Sequence, residues 1–211
     1  SIDVGVYRGV YSYEMSKYSK RVHSFEPNPI IFDYINKNLT KLNSNILLYN
    51  YALSNQNKNI KLRVPIRNKE YNKENFEEYY QMGLATIHGE NNFEEFESFN
   101  IQSKKIDEID FENLISFIKI DVEGHELEVI KGAEKIIKKN FPNLLVEIEK
   151  KHINKDVNST INYVNSLGYN SFCYDNDILI NTTQIKNLDL FNNFIFLPRG
   201  VDEKNFNWKN C

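Results

Sequence analysis

Ile118-Lys119-Ile120-Asp121-Val122-Glu123-Gly124-His125-Glu126 is an apolar run that stops abruptly in carboxylates, a glycine and a histidine. Residues 116–120 read as a buried strand. In open α/β sheets, ligands bind in the crevice beyond the carboxyl ends of the strands. A buried strand that delivers Asp121, Glu123 and His125 to its own tip has the form of such a site. The start of the chain carries a second cluster of glycines and carboxylates.

The pattern on either side of this stretch sets the fold class. Residues 2–4 form a short apolar strand ending at Gly5. Apolar and aromatic residues then recur at helical spacing over 10–18. Residues 21–25 alternate like a strand and stop at the turn cluster Glu26-Pro27-Asn28-Pro29. Pro29 can open the next helix, because its missing N–H costs nothing in a first turn. Ile30, Ile31, Tyr34, Ile35 and Leu39 give that helix its stripe, and 46–49 is a third strand. After the opening stretch the alternation resumes: a helix over 126–138, a strand over 144–149, a helix over 160–167 stopped by Gly168, and strands over 169–174 and 194–197. Residues 175–193 read as loop or hairpin. Strand–helix alternation predicts a parallel sheet with helices on both faces. The middle departs from this rhythm. Residues 60–64, 84–88 and 101–106 read as strands or edge pieces between polar stretches. The expectation is one domain over 1–211, with an inserted strand and loop region near 60–106 and an insertion or lid at 67–100.

The 211 residues suffice for one large core. A net charge of −3 and spread-out basic residues exclude the field that holds a nucleic-acid backbone. No apolar run is long enough to cross a bilayer and no signal peptide opens the chain, so the expected partners exclude membranes and the expected location is cytoplasmic. Cys173 and Cys211 offer no metal spacing.

The first cluster, Asp3-Val4-Gly5-Val6-Tyr7-Arg8-Gly9, follows a strand and opens a helix. Glycines there let the backbone turn sharply and approach a ligand closely. The spacing differs from the Gly-x-Gly-x-x-Gly of dinucleotide binding. Glu26 ends the second strand about twenty residues beyond the glycine loop, where a carboxylate can accept both hydroxyls of a ribose. In the second cluster, Asp121, Glu123, His125 and Glu147 are candidates for general-base work. His125 has an unperturbed pKa of about 6.5. Glu147 interrupts an apolar strand, so it either serves a site or pairs with a cation such as Lys119. The competing readings are ordinary: Asp121 as a helix cap, Glu123 and Glu126 as favourable first-turn charges, His125 as an exposed helix residue. Asp121, Glu123 and Glu147 are hard oxygen ligands, yet their spacing demands no metal.

Five blocks occur in an order that resembles one known family: Asp3 to Ser12, Phe25 to Pro29, Asn50-Tyr51-Ala52-Leu53-Ser54, Ile118 to Glu126, and Leu145 to Ile148. A looser sixth is Asn193 to Pro198. The chain is similar to the FkbM family of S-adenosylmethionine-dependent methyltransferases from near Ser1 to about Glu149. The first block of that family usually reads Asp-Val-Gly-Ala-Asn-x-Gly; here Val6 and Tyr7 replace Ala-Asn. The resemblance implies a Rossmann-like class I methyltransferase fold, α/β, with a seven-stranded, mostly parallel sheet. It implies S-adenosylmethionine as cofactor. Asp3, Gly5 and Gly9 would border its methionine part, with the cofactor residues Tyr11 and Ser12 following at the helix start, and Glu26 would bind its ribose. Pro27, Asn28, Asn50, Ala52 and Ser54 would lie on the adenine side. The implied activity is O-methylation of a hydroxyl on a glycan or secondary metabolite, with a small-molecule or glycan acceptor. The rival readings are a nucleotide-dependent oxidoreductase of related fold and a non-catalytic binding protein.

Overall fold

The computed structural model describes residues 1–73, 75–87, 94–149 and 157–201. Its first half follows the predicted alternation. Strand β1 (Ile2–Val4) leads through the glycine loop to helix α1 (Val10–Ser16). Strand β2 (Val22–Phe25), helix α2 (Pro29–Leu42) and strand β3 (Ile46–Tyr49) follow. Asn28 caps α2 by accepting the Ile30 N–H at 3.0 Å, with Pro29 in the first turn. Strand β4 (Ala52–Leu53) then leaves the main sheet. With β5 (Lys58–Pro65) and β6 (Phe96–Lys104) it makes a separate three-stranded sheet, ordered β4-β6-β5. A short helix α3 (Phe76–Tyr79) and a 3₁₀ turn (Met82–Leu84) lie between β5 and β6. The strand expected at 84–88 reduces to one bridge between Arg63 and Thr86, and its end at His88 lies outside the described residues.

The second half returns to the main sheet. It contains β7 (Phe117–Ile120), α4 (Glu126–Lys131), α5 (Glu134–Asn140), β8 (Asn143–Glu147) and α6 (Val157–Ser166). Strands β9 (Tyr169–Asp175), β10 (Ile178–Asn181) and β11 (Asn193–Pro198) complete it. The main sheet has eight strands rather than seven, ordered β10-β9-β11-β8-β7-β1-β2-β3. The eight are mixed: β3, β2, β1, β7 and β8 run parallel, while β11, β9 and β10 pair antiparallel. The extra strand, β10, arises from a tight hairpin. Asn176 and Asp177 both take positive φ, 47° and 63°, as a two-residue type I′ turn requires.

The core divides across the main sheet. Ile2, Val4, Phe25, Ile118, Ile120, Leu144 and Val146 belong to one cluster with Val129, Ile130 and Ile161 from α4 and α6. Val22 and Ile46 belong to a second cluster with Ile35 and Leu39 of α2 and Leu62 and Val64 of the smaller sheet. Among the described residues no helix is long and apolar enough to cross a membrane.

Candidate functional site

Strand register brings the site together. Tyr49 pairs with Phe25, Phe25 with Val4, Val4 with Ile120 and Ile120 with Val146, forming one row across the five parallel strands. The next residue on each strand is Asn50, Glu26, Gly5, Asp121 and Glu147. These residues come from regions far apart in sequence, yet they stand side by side at the carboxyl edge. A cleft of about 220 Å³ opens above them, ample for part of a ligand beyond a single water. Gly5, Glu26, Asp121, Glu123, His125 and Glu147 all line it. Its roof is the inserted region, which contributes Met82, Gly83, Ala85 and Ile87.

The glycine loop is built for close approach. Gly5 has φ +80°, and a Cβ there would stand 1.8 Å from the backbone oxygen of Asp121. The loop therefore lies directly on the tip of β7. Tyr7 also takes a left-handed conformation, with φ 49°. That turn aims its N–H at Glu26 Oε2, 3.0 Å away, while Glu26 Oε1 accepts the Asn28 N–H at 2.8 Å. Glu26 is 5% exposed, and burial pushes its carboxyl from 4.5 to about 7 against those two backbone donors. Each carboxylate oxygen has a second lone pair, so Glu26 can still accept hydroxyls.

Beneath the loop lies a buried polar network. Asp3, Ser24 and Lys119 occupy adjacent positions on β1, β2 and β7. Ser12 of α1 donates to Asp3 Oδ2 at 2.5 Å and bonds Ser24 Oγ at 2.8 Å. Lys119 Nζ lies 3.6 Å from Asp3 Oδ1 and 3.3 Å from Asp121 Oδ2, and donates to the Gly5 carbonyl at 2.8 Å. It also sits 5.0 Å from the centre of the Tyr11 ring. Burial works against the Lys119 charge, and the Asp3 and Asp121 carboxylates outweigh it, leaving the ammonium above its ordinary range. The buried cation suggested as a partner for Glu147 thus serves Asp3 and Asp121.

The loop after β7 is fastened from three sides. Glu126, 2% exposed, accepts the Gly124 N–H at 2.9 Å and the Val122 N–H at 3.4 Å. Burial raises its carboxyl to about 7. Thr86 donates to the Glu123 carbonyl at 3.3 Å, tying the loop to the inserted region. Ser54 Oγ lies 2.9 Å from His125 Nε2. His125, rather than Asp121, stands at the N-cap of α4, and its side chain makes no cap hydrogen bond there. His125 is buried, which overturns its reading as an exposed helix residue.

The structure thus gathers the four expected chemical residues and separates the expected cofactor set. Gly5, Glu26, Pro27 and Ala52 line the cleft. Asp3 and Ser12 lie below it in the buried network. Gly9 packs at the start of α1, where a Cβ would meet Leu39 at 2.7 Å. Tyr11 is an exposed residue of α1. Asn28 caps α2 and reaches Met82 Sδ at 3.4 Å. Asn50 holds the edge by donating to the carbonyls of Glu26 and Pro27, at 2.9 and 3.3 Å. Ser54 bonds His125. The cleft residues not foreseen include Tyr7, Tyr51, Met82 and Ile87, and among the supports Glu126.

The sequence profile of a family described as Methyltransferase FkbM domain matches residues 3–171. The chain is 32% identical over 138 residues to the hexuronic acid methyltransferase AglP of Haloferax volcanii, a match covering 64% of this chain and 50% of that protein. It therefore spans half the length of that relative. In three dimensions it is similar to the crystal structure of Methyltransferase FkbM from Methylobacillus flagellatus KT. That superposition has a TM-score of 0.55 at 17% identity and covers 93% of this chain and 42% of the other. The likeness bears on the fold alone.

Proposed function

The chain belongs to the FkbM methyltransferase family, and from that premise we propose that it is an S-adenosylmethionine-dependent O-methyltransferase acting on a saccharide hydroxyl. The observation that carries this reading is the single row Glu26, Gly5, Asp121 and Glu147 at the carboxyl edge. It puts a ribose-type acceptor, a closely packed glycine turn and two further carboxylates along one cleft. The donor set fits the cofactor chemically. Glu26 would take the ribose hydroxyls, the glycine loop would border the methionine part, and the acid-rich floor suits a sulfonium cation. S-adenosylmethionine, when bound, supplies an electrophilic methyl group. The residues of this chain do the rest. Asp121, Glu123, His125 and Glu147 lie where the acceptor must enter, and a carboxylate or imidazole within hydrogen-bond reach takes the proton of its hydroxyl. Met82, Gly83, Ala85 and Ile87 line the cleft from the inserted region and would limit water there, which supports a lid role for that part of the chain within one domain.

The saccharide acceptor is supported by the hexuronic acid methyltransferase among the relatives. Isothermal calorimetry with S-adenosylmethionine tests the cofactor reading. The parent should bind and Glu26→Ala should bind at least about tenfold more weakly, the loss of one charge-assisted hydrogen-bonded anchor. A folded parent that does not bind, or a Glu26→Ala variant equal to it, overturns the reading. Methyl transfer to uronic-acid saccharides tests the acceptor class.

A further inference from the structure

A second cavity, of about 500 Å³, adjoins the cleft. Tyr7, Ile31, Met82 and Gly83 line both, and so form a shared wall. Tyr7 stands where the family usually has an asparagine, so the wall gains an aromatic ring there. Two kinds of group make up the rest of the lining. The first is aromatic. Tyr7 and Tyr34 are 42% and 44% exposed, and Tyr34 meets Phe76 with ring centres 5.5 Å apart. The second is charged and balanced. Among the described lining residues, Arg8 and Arg67 are matched by Glu77 and Glu78. Arg8 Nη2 lies 3.1 Å from Glu77 Oε1, with its guanidinium carbon 5.6 Å from the centre of the Tyr7 ring. Arg67 Nη1 donates to the Glu77 carbonyl at 3.4 Å. The Arg8–Glu77 pair is exposed to solvent. Such pairs contribute little by themselves, so their donors and acceptors can be turned to a ligand at small cost.

This lining selects among ligands. A phosphate or other strong anion needs an excess of positive charge. A lipid tail would strip these polar groups of water without replacing it. A sugar ring suits both kinds of group. Its C–H face carries partial positive charge and packs on the negative face of an aromatic ring. Its hydroxyls donate to a carboxylate and accept from a guanidinium. We propose that the second cavity is an acceptor subsite for a neutral pyranose unit joined to the one that is methylated, so that the preferred acceptor is a saccharide of two or more units. This rests on the methyl-transfer reading of the cleft. The methylated unit lies in the cleft, its neighbour packs on Tyr34, and the two meet at Tyr7, Met82 and Gly83.

The test titrates the full chain, with S-adenosylhomocysteine present, with glucose, glucuronic acid, cellobiose and cellobiouronic acid by ligand-observed NMR. A disaccharide should bind about tenfold more tightly than the better of its two monosaccharides, the worth of one ring stacked on an aromatic face. Tyr34→Ala should erase that advantage and Tyr34→Phe should keep it. S-adenosylmethionine should bind Tyr34→Ala as tightly as it binds the parent. Equal binding of mono- and disaccharides by the parent, which requires no variant to fold, overturns the proposal. So does a preference that survives in Tyr34→Ala, or weaker S-adenosylmethionine binding by that variant, which would assign the cavity to the cofactor. A parent that binds no S-adenosylmethionine brings down the methyl-transfer reading and this proposal with it. One that binds it without preferring a disaccharide brings down this proposal alone.

Discussion

Lys119 balances the charge beneath the cleft. It is the cation placed between Asp3 and Asp121, and its third partner, the Gly5 carbonyl, belongs to the glycine loop. Removing one member of a buried charge set leaves the others without compensation, at a cost of about 3 kcal/mol or more. Lys119→Met should therefore lower stability in urea unfolding by roughly that amount near neutral pH. Adding Asp3→Asn should give a loss smaller than the two single losses combined, because the substitutions share one interaction. Additive losses would show that the pair is not coupled. Residues of this kind were only partly legible. Glu26 and Asp121 announced themselves because each follows an apolar strand. Asp3 and Ser12 were visible as a motif, but the row that turns them under the loop depends on pairing with Ser24 and Lys119, which no local pattern encodes. Glu126 was read only as a favourable first-turn charge, since a first-turn glutamate looks the same in sequence whether it faces solvent or a loop of backbone donors.

At the scale of elements, the helix expected over 126–138 is two. Helix α4 ends at Lys131 and α5 begins at Glu134. The break lets Gly132 sit against the Ser54 carbonyl. The new N-terminus is capped from another segment. Asp107 Oδ2 accepts the Lys135 N–H and Oδ1 the Ile136 N–H, both at 2.9 Å. The apolar spacing is continuous through the break, so periodicity could not reveal it, and the capping residue lies 28 positions upstream of Lys135. A capping carboxylate is worth about 1 kcal/mol. Asp107→Ala should destabilise by about that much and Asp107→Asn by less, read from denaturant midpoints. An alanine variant as stable as the parent would remove Asp107 from the role. The middle of the chain was harder still. Residues 52–53 look like the continuation of a third strand, but β4 pairs with β6 instead, a partner some fifty residues away.

For the molecule as a whole, strand–helix alternation was enough to predict the parallel half of the sheet. The antiparallel edge was less legible, because the Asn176-Asp177 turn that adds β10 declares itself only through backbone conformation. Two buried carboxylates give the whole molecule a pH dependence. Burial raises Glu26 and Glu126 from 4.5 to about 7. Between those values the folded chain holds protons that the unfolded chain releases. Their contribution to stability is thus full below about 4.5, falls as pH rises and levels off above about 7. The thermal midpoint of the parent relative to Glu26→Gln should decline over that window and flatten beyond it. A difference that rises with pH would contradict the buried-carboxylate account.

The common row of Asn50, Glu26, Gly5, Asp121 and Glu147 carries one more consequence. Side chains alternate faces along a strand, so a slip of one residue in any of the five would turn its tip residue away from the cleft. Such a molecule could retain much of its helix and strand content and still present an incomplete set of groups. On the proposed cofactor reading, retention on immobilised S-adenosylmethionine would therefore work as an assay of register, keeping the chains whose strands have paired at the intended rung.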